Sequence, residues 1–231
     1  MKKFIILMFL PILLFSGCKI KDSSDKLKVF TSFYAMYDFT RTIAGDKVDL
    51  YLLVPPGTEP HDWEPSTRDM ASLERADMLI YSGAGMEQFI GTFKESIKNN
   101  DLIFVEASDG IELLQNDPHV WLNPINALKE YENIKNALCA KDPANSELYE
   151  ANFQLQKDKL NKLDIDYHES AENFKSKDLV VSHEAYGYLC EAYGLNQVAI
   201  EGFAADGEPS LAKMIEIINY IRQNDVKYIF T

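Results

Sequence analysis

Between Asn145 and Phe174 the chain carries neither glycine nor proline. Leu148, Phe153, Leu155, Leu160, Leu163 and Tyr167 recur there at roughly helical spacing. The stretch predicts one helix of about 30 residues, near 45 Å long at a rise of 1.5 Å per residue. A helix that long spans a whole domain or joins two. The segments before it alternate. Leu27–Phe33 reads as a strand and Tyr34–Ala44 as a helix ended by Gly45. Val48–Val54 is apolar enough for a buried parallel strand and is broken by Pro55-Pro56-Gly57. Then come a helix over Thr67–Ala76, a strand over Met78–Tyr81, a helix from Glu87 to Lys98 and a strand over Leu102–Val105. Asn123-Pro124 opens a helix that runs to Lys141. After the long segment, strands at Leu179–Ser182, Gln197–Ile200 and Lys227–Phe230 alternate with helices at Tyr186–Tyr193 and Ser210–Asn224. Repeated βα units imply an α/β fold of parallel sheets. The expected plan is an N-terminal lobe over 27–142, a rigid linking helix within 143–176 and a C-terminal lobe over 177–231. With only three strands and a stop at Thr231, that second lobe is expected to be truncated.

The first 26 residues do not belong to this pattern. Met1-Lys2-Lys3 is basic, and Phe4–Phe15 is an apolar run too short to span a bilayer. Residues 1–17 read as a signal peptide. Ser16-Gly17-Cys18 resembles a bacterial lipobox, so Cys18 is the expected lipidation site, and 18–26 is a polar tether to the folded body. The expected location is the extracytoplasmic face of a bacterial cell membrane, held there by the lipid. The other two cysteines, Cys139 and Cys190, are expected as free buried thiols. The chain has no CxxC, which excludes a thiolate zinc site. With 36 acidic against 23 basic residues the net charge is −13. Such a chain repels phosphate backbones, so nucleic acid is excluded as a partner.

Four histidines remain to be explained, and three sit where a strand has ended or a helix is about to start. They are His61 in Glu59-Pro60-His61-Asp62-Trp63-Glu64-Pro65-Ser66, His119 in Asp117-Pro118-His119-Val120-Trp121-Leu122-Asn123-Pro124, and His183 in Ser182-His183-Glu184-Ala185-Tyr186-Gly187-Tyr188. Their separations of 58 and 64 residues exclude a local zinc finger and suit loops gathered into one crevice. Neutral imidazole ligates zinc and the later first-row metals, whereas magnesium and calcium prefer oxygen. Each histidine alone reads equally as a hydrogen-bonded loop residue, so a shared metal site and three unrelated loop residues both stay open on spacing alone. His168, among Asp164, Asp166 and Glu169, reads as a solvated face residue.

These three runs, with Glu208-Pro209-Ser210 leading into a helix, resemble the substrate-binding lipoproteins of zinc and manganese ABC transporters, over residues 27–231. The resemblance implies two α/β lobes bridged by one rigid helix, and metal ligands at His61, His119 and His183. Zinc-type members are similar in having His at the third position, where manganese-type members usually have Glu. Zinc is therefore the expected ligand, with manganese next. Members of the family take a fourth ligand, Asp or Glu, from the last part of the second lobe, which is expected beyond Thr231. Glu59, Asp62 or water are the alternatives for completing the shell here. Glu64 and Asp117 are the nearest candidates to accept hydrogen bonds from the imidazoles. The stretch from Glu87 to Asp117 lacks the His-rich loop that zinc members often carry.

What the resemblance implies is a non-enzymatic function. A monomeric protein captures a divalent ion between its lobes and hands it to a membrane permease driven by an ATPase. Two alternatives stand beside it. A zinc-dependent hydrolase could use three histidines and an open position, but nothing resembles HExxH. A surface adhesion lipoprotein would share the lipid anchor.

Overall fold

The computed structural model describes residues 26–115, 117–200, 202 and 210–230. The signal peptide, Cys18, nearly all of the tether and Glu208-Pro209 lie outside the described residues. The body begins β1 (Leu27–Thr31), α1 (Tyr34–Ala44), β2 (Val48–Leu52), α2 (Thr67–Leu73), β3 (Met78–Tyr81), α3 (Ile90–Ser96), β4 (Ile103–Glu106) and α4 (Pro124–Lys141). It continues with α5 (Ser146–Glu172), β5 (Asp178–Val181), α6 (Gly187–Tyr193), β6 (Asn196–Ala199) and α7 (Leu211–Gln223).

The first four strands form one parallel sheet in the order β2-β1-β3-β4. Side chains of a strand alternate between faces, so this sheet feeds two cores. Val29, Met78 and Ile80 pack with Met36 and Ile43 of α1, Ile134 and Leu138 of α4, and Tyr149 and Phe153 of α5. Phe30, Leu79 and Tyr81 face the other way, onto Leu73 and Phe93. Helices cover both faces, as a parallel sheet requires. Local chemistry sets several boundaries. Gly45 ends α1 at φ 59°, a left-handed conformation that favours glycine. Ser66 and Asp69 form a reciprocal capping box at α2. Asn123 caps α4 through Ile125 and Asn126, with Pro124 in its first turn.

The long stretch is a helix, α5, of 27 residues, about 40 Å at 1.5 Å per residue. Its apolar stripe is not a buried stripe. Tyr149 and Phe153 are in the first core, but Leu155, Leu163 and Tyr167 are exposed. The N-terminal half lies on α4 and α1, where Asn152 donates to the Ile43 carbonyl at 2.9 Å. The C-terminal half meets α6, where the Tyr193 hydroxyl donates to Asp164 at 2.9 Å. A helix that serves two bodies leaves its remaining surface to water.

The second sheet holds β5 and β6, parallel, among the described residues. The strand expected at 227–230 is reduced to a single bridge between Phe230 and Val181. Two hydrogen bonds hold it, Phe230 N–H to the Val180 carbonyl at 2.9 Å and Ser182 N–H to the Phe230 carbonyl at 2.8 Å. α3 begins at Ile90 rather than Glu87, because the Glu87 side chain is committed elsewhere. It accepts from the Ser32 hydroxyl at 2.5 Å and from the amides of Ser82 and Gly83 at 2.8 and 3.0 Å. Cys139 and Cys190 are free thiols, as expected, but only Cys190 is buried and Cys139 is half-buried. Among the described residues no helix is long and apolar enough to cross a membrane.

Candidate metal centre

The three loop histidines converge. His61 stands on the irregular segment after β2. Its backbone first continues alongside β1, with Leu53 and Val54 donating to Thr31 and Ser32 at 2.9 Å. It then turns at Pro55-Pro56-Gly57, where Thr58 N–H reaches the Pro55 carbonyl at 3.1 Å. Trp63 pins the segment by packing edge-on to Phe89 at 5.2 Å. His119 precedes a one-turn 3-10 helix, Val120–Leu122. Val120 is fully buried there, and Trp121 packs on Phe33 at 4.9 Å. His183 follows β5 directly. All three therefore lie beyond the carboxyl ends of parallel strands, where open α/β sheets place ligand-binding groups.

His119 Nε2 is 3.2 Å from His61 Nε2 and 3.0 Å from His183 Nε2. The donor atoms of all three lie within 4.8 Å of one another. A tetrahedral site with metal–nitrogen distances near 2.05 Å has edges of about 3.3 Å. The spacing fits a first-row cation with little rearrangement, and three imidazole nitrogens are the donor set such ions take.

Asp117 organises this centre. Its Oδ1 accepts from the His119 ring at Nδ1, 2.8 Å away, and from the His119 backbone N–H at 3.0 Å. A carboxylate can only accept, so the ring proton sits on Nδ1 and the Nε2 lone pair faces the other two imidazoles. His119 and Asp117 are both buried. His61 is less enclosed. Burial lowers its pKa first, the neighbouring His119 lowers it further, and Glu59 works in the opposite direction. A lowered pKa favours the neutral ring that a metal needs.

The remaining sequence candidates fall out unevenly. Glu59 accepts from the His61 backbone N–H at 3.3 Å, and its Oε1 is 3.9 Å from His61 Nε2. Asp62 acts on His61 only through its charge. Glu64 is exposed, and among the described residues it makes no hydrogen bond to the three rings. No fourth His, Cys, Asp or Glu joins the cluster among the described residues. His168 is exposed on the face of α5, as expected of a solvated face residue. It packs edge-on to Tyr193 at 4.9 Å, with Asp164 3.8 Å from its Nε2. Tyr188 had no expected role. Its hydroxyl bridges the loop that carries Asp117, accepting from Leu114 N–H at 2.9 Å and donating to the Asp117 carbonyl at 3.1 Å. Its place in the Tyr186-Gly187-Tyr188 run gave no hint of a bond to a residue 71 positions away.

A family model described as zinc-uptake complex component A, periplasmic, matches residues 29–231. The high-affinity zinc uptake system protein ZnuA of Bacillus subtilis is 39% identical over 225 residues, covering 89% of this chain and 70% of the relative. The zinc-binding lipoprotein AdcA of Streptococcus pneumoniae is 34% identical over 91% of this chain, which spans only 46% of AdcA. The crystal structure of the Zn(II)-bound ZnuA-like domain of that AdcA superposes with a TM-score of 0.80 at 36% identity. The match covers 88% of this chain and 78% of that one.

Proposed function

The chain belongs to the zinc-uptake complex component A family, and on that premise we propose that it is an extracytoplasmic solute-binding protein that captures zinc and delivers it to an ABC permease. In this reading residues 1–17 are a signal peptide, and Cys18 carries the lipid at the head of the 18–26 tether. His61, His119 and His183 are the ligands, and the lobes 27–142 and 177–231 meet across them, with 143–176 as the link. The protein binds and releases its cargo without turning it over. The observation that carries the reading is the convergence of three imidazoles, with His61 and His183 Nε2 at 3.2 and 3.0 Å from His119 Nε2, all ligand atoms within 4.8 Å of one another, and His119 oriented by Asp117.

Nitrogen donors favour zinc over manganese. Relatives that bind zinc support the same choice. The test is isothermal titration of the metal-free protein with zinc and with manganese, beside His119→Ala. One zinc per chain, bound more tightly than manganese and lost with His119, is the expected result. Binding of neither metal, or zinc binding untouched by His119→Ala, overturns the assignment.

A further inference from the structure

Two residues of the second lobe sit on the loop of the first lobe that carries His119. The Tyr188 phenol is buried and fully used, accepting from Leu114 and donating to the Asp117 carbonyl. One residue earlier, a Cβ built on Gly187 would overlap Asp117 Oδ2 and come within 3.5 Å of a Leu114 methyl. Asp117 Oδ2 thus points at the start of α6, into space that only glycine leaves open. Asp117 in turn holds the His119 ring through Nδ1. α6 begins four residues after His183, so the element that follows one ligand also clamps the support of another.

We propose that Tyr188 and Gly187 are positioning residues that couple the second lobe to His119. Resting on the zinc-capture reading, the coupling ties His183 and His119 to one movement. When the lobes separate, His183 is withdrawn directly. The 114–119 loop loses its phenol clamp at the same moment, and His119 loses its fixed orientation. Two ligands then weaken together rather than in turn, so a modest displacement of the second lobe releases the ion.

The test uses the intact chain and two measurements. Zinc transfer to an excess of chelator gives the dissociation rate. Nitrogen–proton NMR of the metal-free protein reports the His119 tautomer and the exchange of its Nδ1 proton. Tyr188→Phe keeps the packed ring and removes both hydrogen bonds. It is expected to raise the zinc dissociation rate on the order of tenfold, in line with losses around ligating histidines. It should also speed exchange of the His119 Nδ1 proton. Gly187→Ala, which displaces the Asp117 carboxylate but leaves the phenol intact, is expected to act in the same direction. It supplies the answer if Tyr188→Phe does not fold. Tyr193→Phe, which removes a hydroxyl bond elsewhere on α6, should leave both readings at the parental value. An unchanged rate and an unchanged His119 signal in Tyr188→Phe and Gly187→Ala overturn the proposal. Equal acceleration by Tyr193→Phe overturns it as well, since that result means general loosening of the lobe. If the parent chain binds no zinc, the capture reading fails, and the His119 signal in the metal-free variants alone decides the coupling.

Discussion

Asp117→Asn isolates the contribution of charge to the orientation of His119. One buried oxygen accepts both the ring N–H at 2.8 Å and the backbone N–H at 3.0 Å. Hydrogen bonds to an ionised group contribute about 1.5–3 kcal/mol net, against about 0.5–1.5 for neutral ones. Replacing the carboxylate by an amide of the same shape therefore removes roughly 1 kcal/mol from each bond, or about 2 kcal/mol in all. Both bonds exist without the metal, so only part of that loss bears on binding, and zinc affinity should fall on the order of tenfold rather than the roughly 30-fold that about 2 kcal/mol would give at about 1.4 kcal/mol per factor of ten. The amide adds a second fault, because it can also present an N–H to Nδ1. The ring then moves its proton to Nε2 and points a donor where the metal needs a lone pair. The assay is competition for zinc against a chelator of known affinity at neutral pH, with the melting curve of the metal-free variant as control. If affinity stays within about twofold of the parent while the fold is intact, Asp117 is a packing residue and the argument from its charge fails.

Two further outcomes are expected. Burial and His119 hold His61 below the ordinary 6.5, so its ring stays neutral into mild acid. NMR titration of the His61 ring in the metal-free protein measures this pKa, and a midpoint at or above 6.5 contradicts the shift; zinc affinity, which depends on all three rings, falls in acid as imidazoles protonate. Glu130 is fully buried, and burial raises its pKa well above 4.5, helped by the nearby Glu87. The native state then holds a proton that the unfolded chain gives up above that value, so stability falls as pH rises towards the native pKa. Glu130→Gln should be more stable than the parent at neutral pH and lose that advantage in acid, by urea unfolding at several pH values.

The elements the sequence located best are those with a local stop or start signal. Tyr34–Ala44 ends at a left-handed glycine, and Pro124–Lys141 starts at an Asn cap followed by proline. Both helices have the expected bounds, as does the strand Met78–Tyr81. Where tertiary contacts decide, the pattern misleads. Glu87 carries ordinary helix propensity, yet its carboxylate ties down Ser32, Ser82 and Gly83, and the helix waits until Ile90. Tyr228, Ile229 and Phe230 are apolar enough for a strand, but among the described residues only Phe230 forms a bridge, and all three are exposed. At the site, strand-end placement made the three histidines legible, and Asp117 followed from standing two residues before His119. The phenol of Tyr188 was not legible, because its partners depend on where two lobes meet rather than on any period.

The three imidazoles are held with unequal firmness, and that asymmetry bears on what the centre can do. His119 is buried, bonded through Nδ1 and braced by Trp121 at 5.4 Å. His183 is carried at the end of a paired strand. His61 rides on an irregular segment, partly exposed, with Trp63 as its anchor and Glu59 as its polar neighbour. A structural zinc site closes four protein ligands around the ion and contributes to the folding energy. A transported ion needs the opposite at one point of the shell, a ligand that can yield without unfolding the scaffold. His61 fits that requirement best of the three, since the segment that carries it past Val54 belongs to no strand or helix, while His119 is tied to Asp117 and His183 follows β5. Entry and exit are then expected on the His61 side.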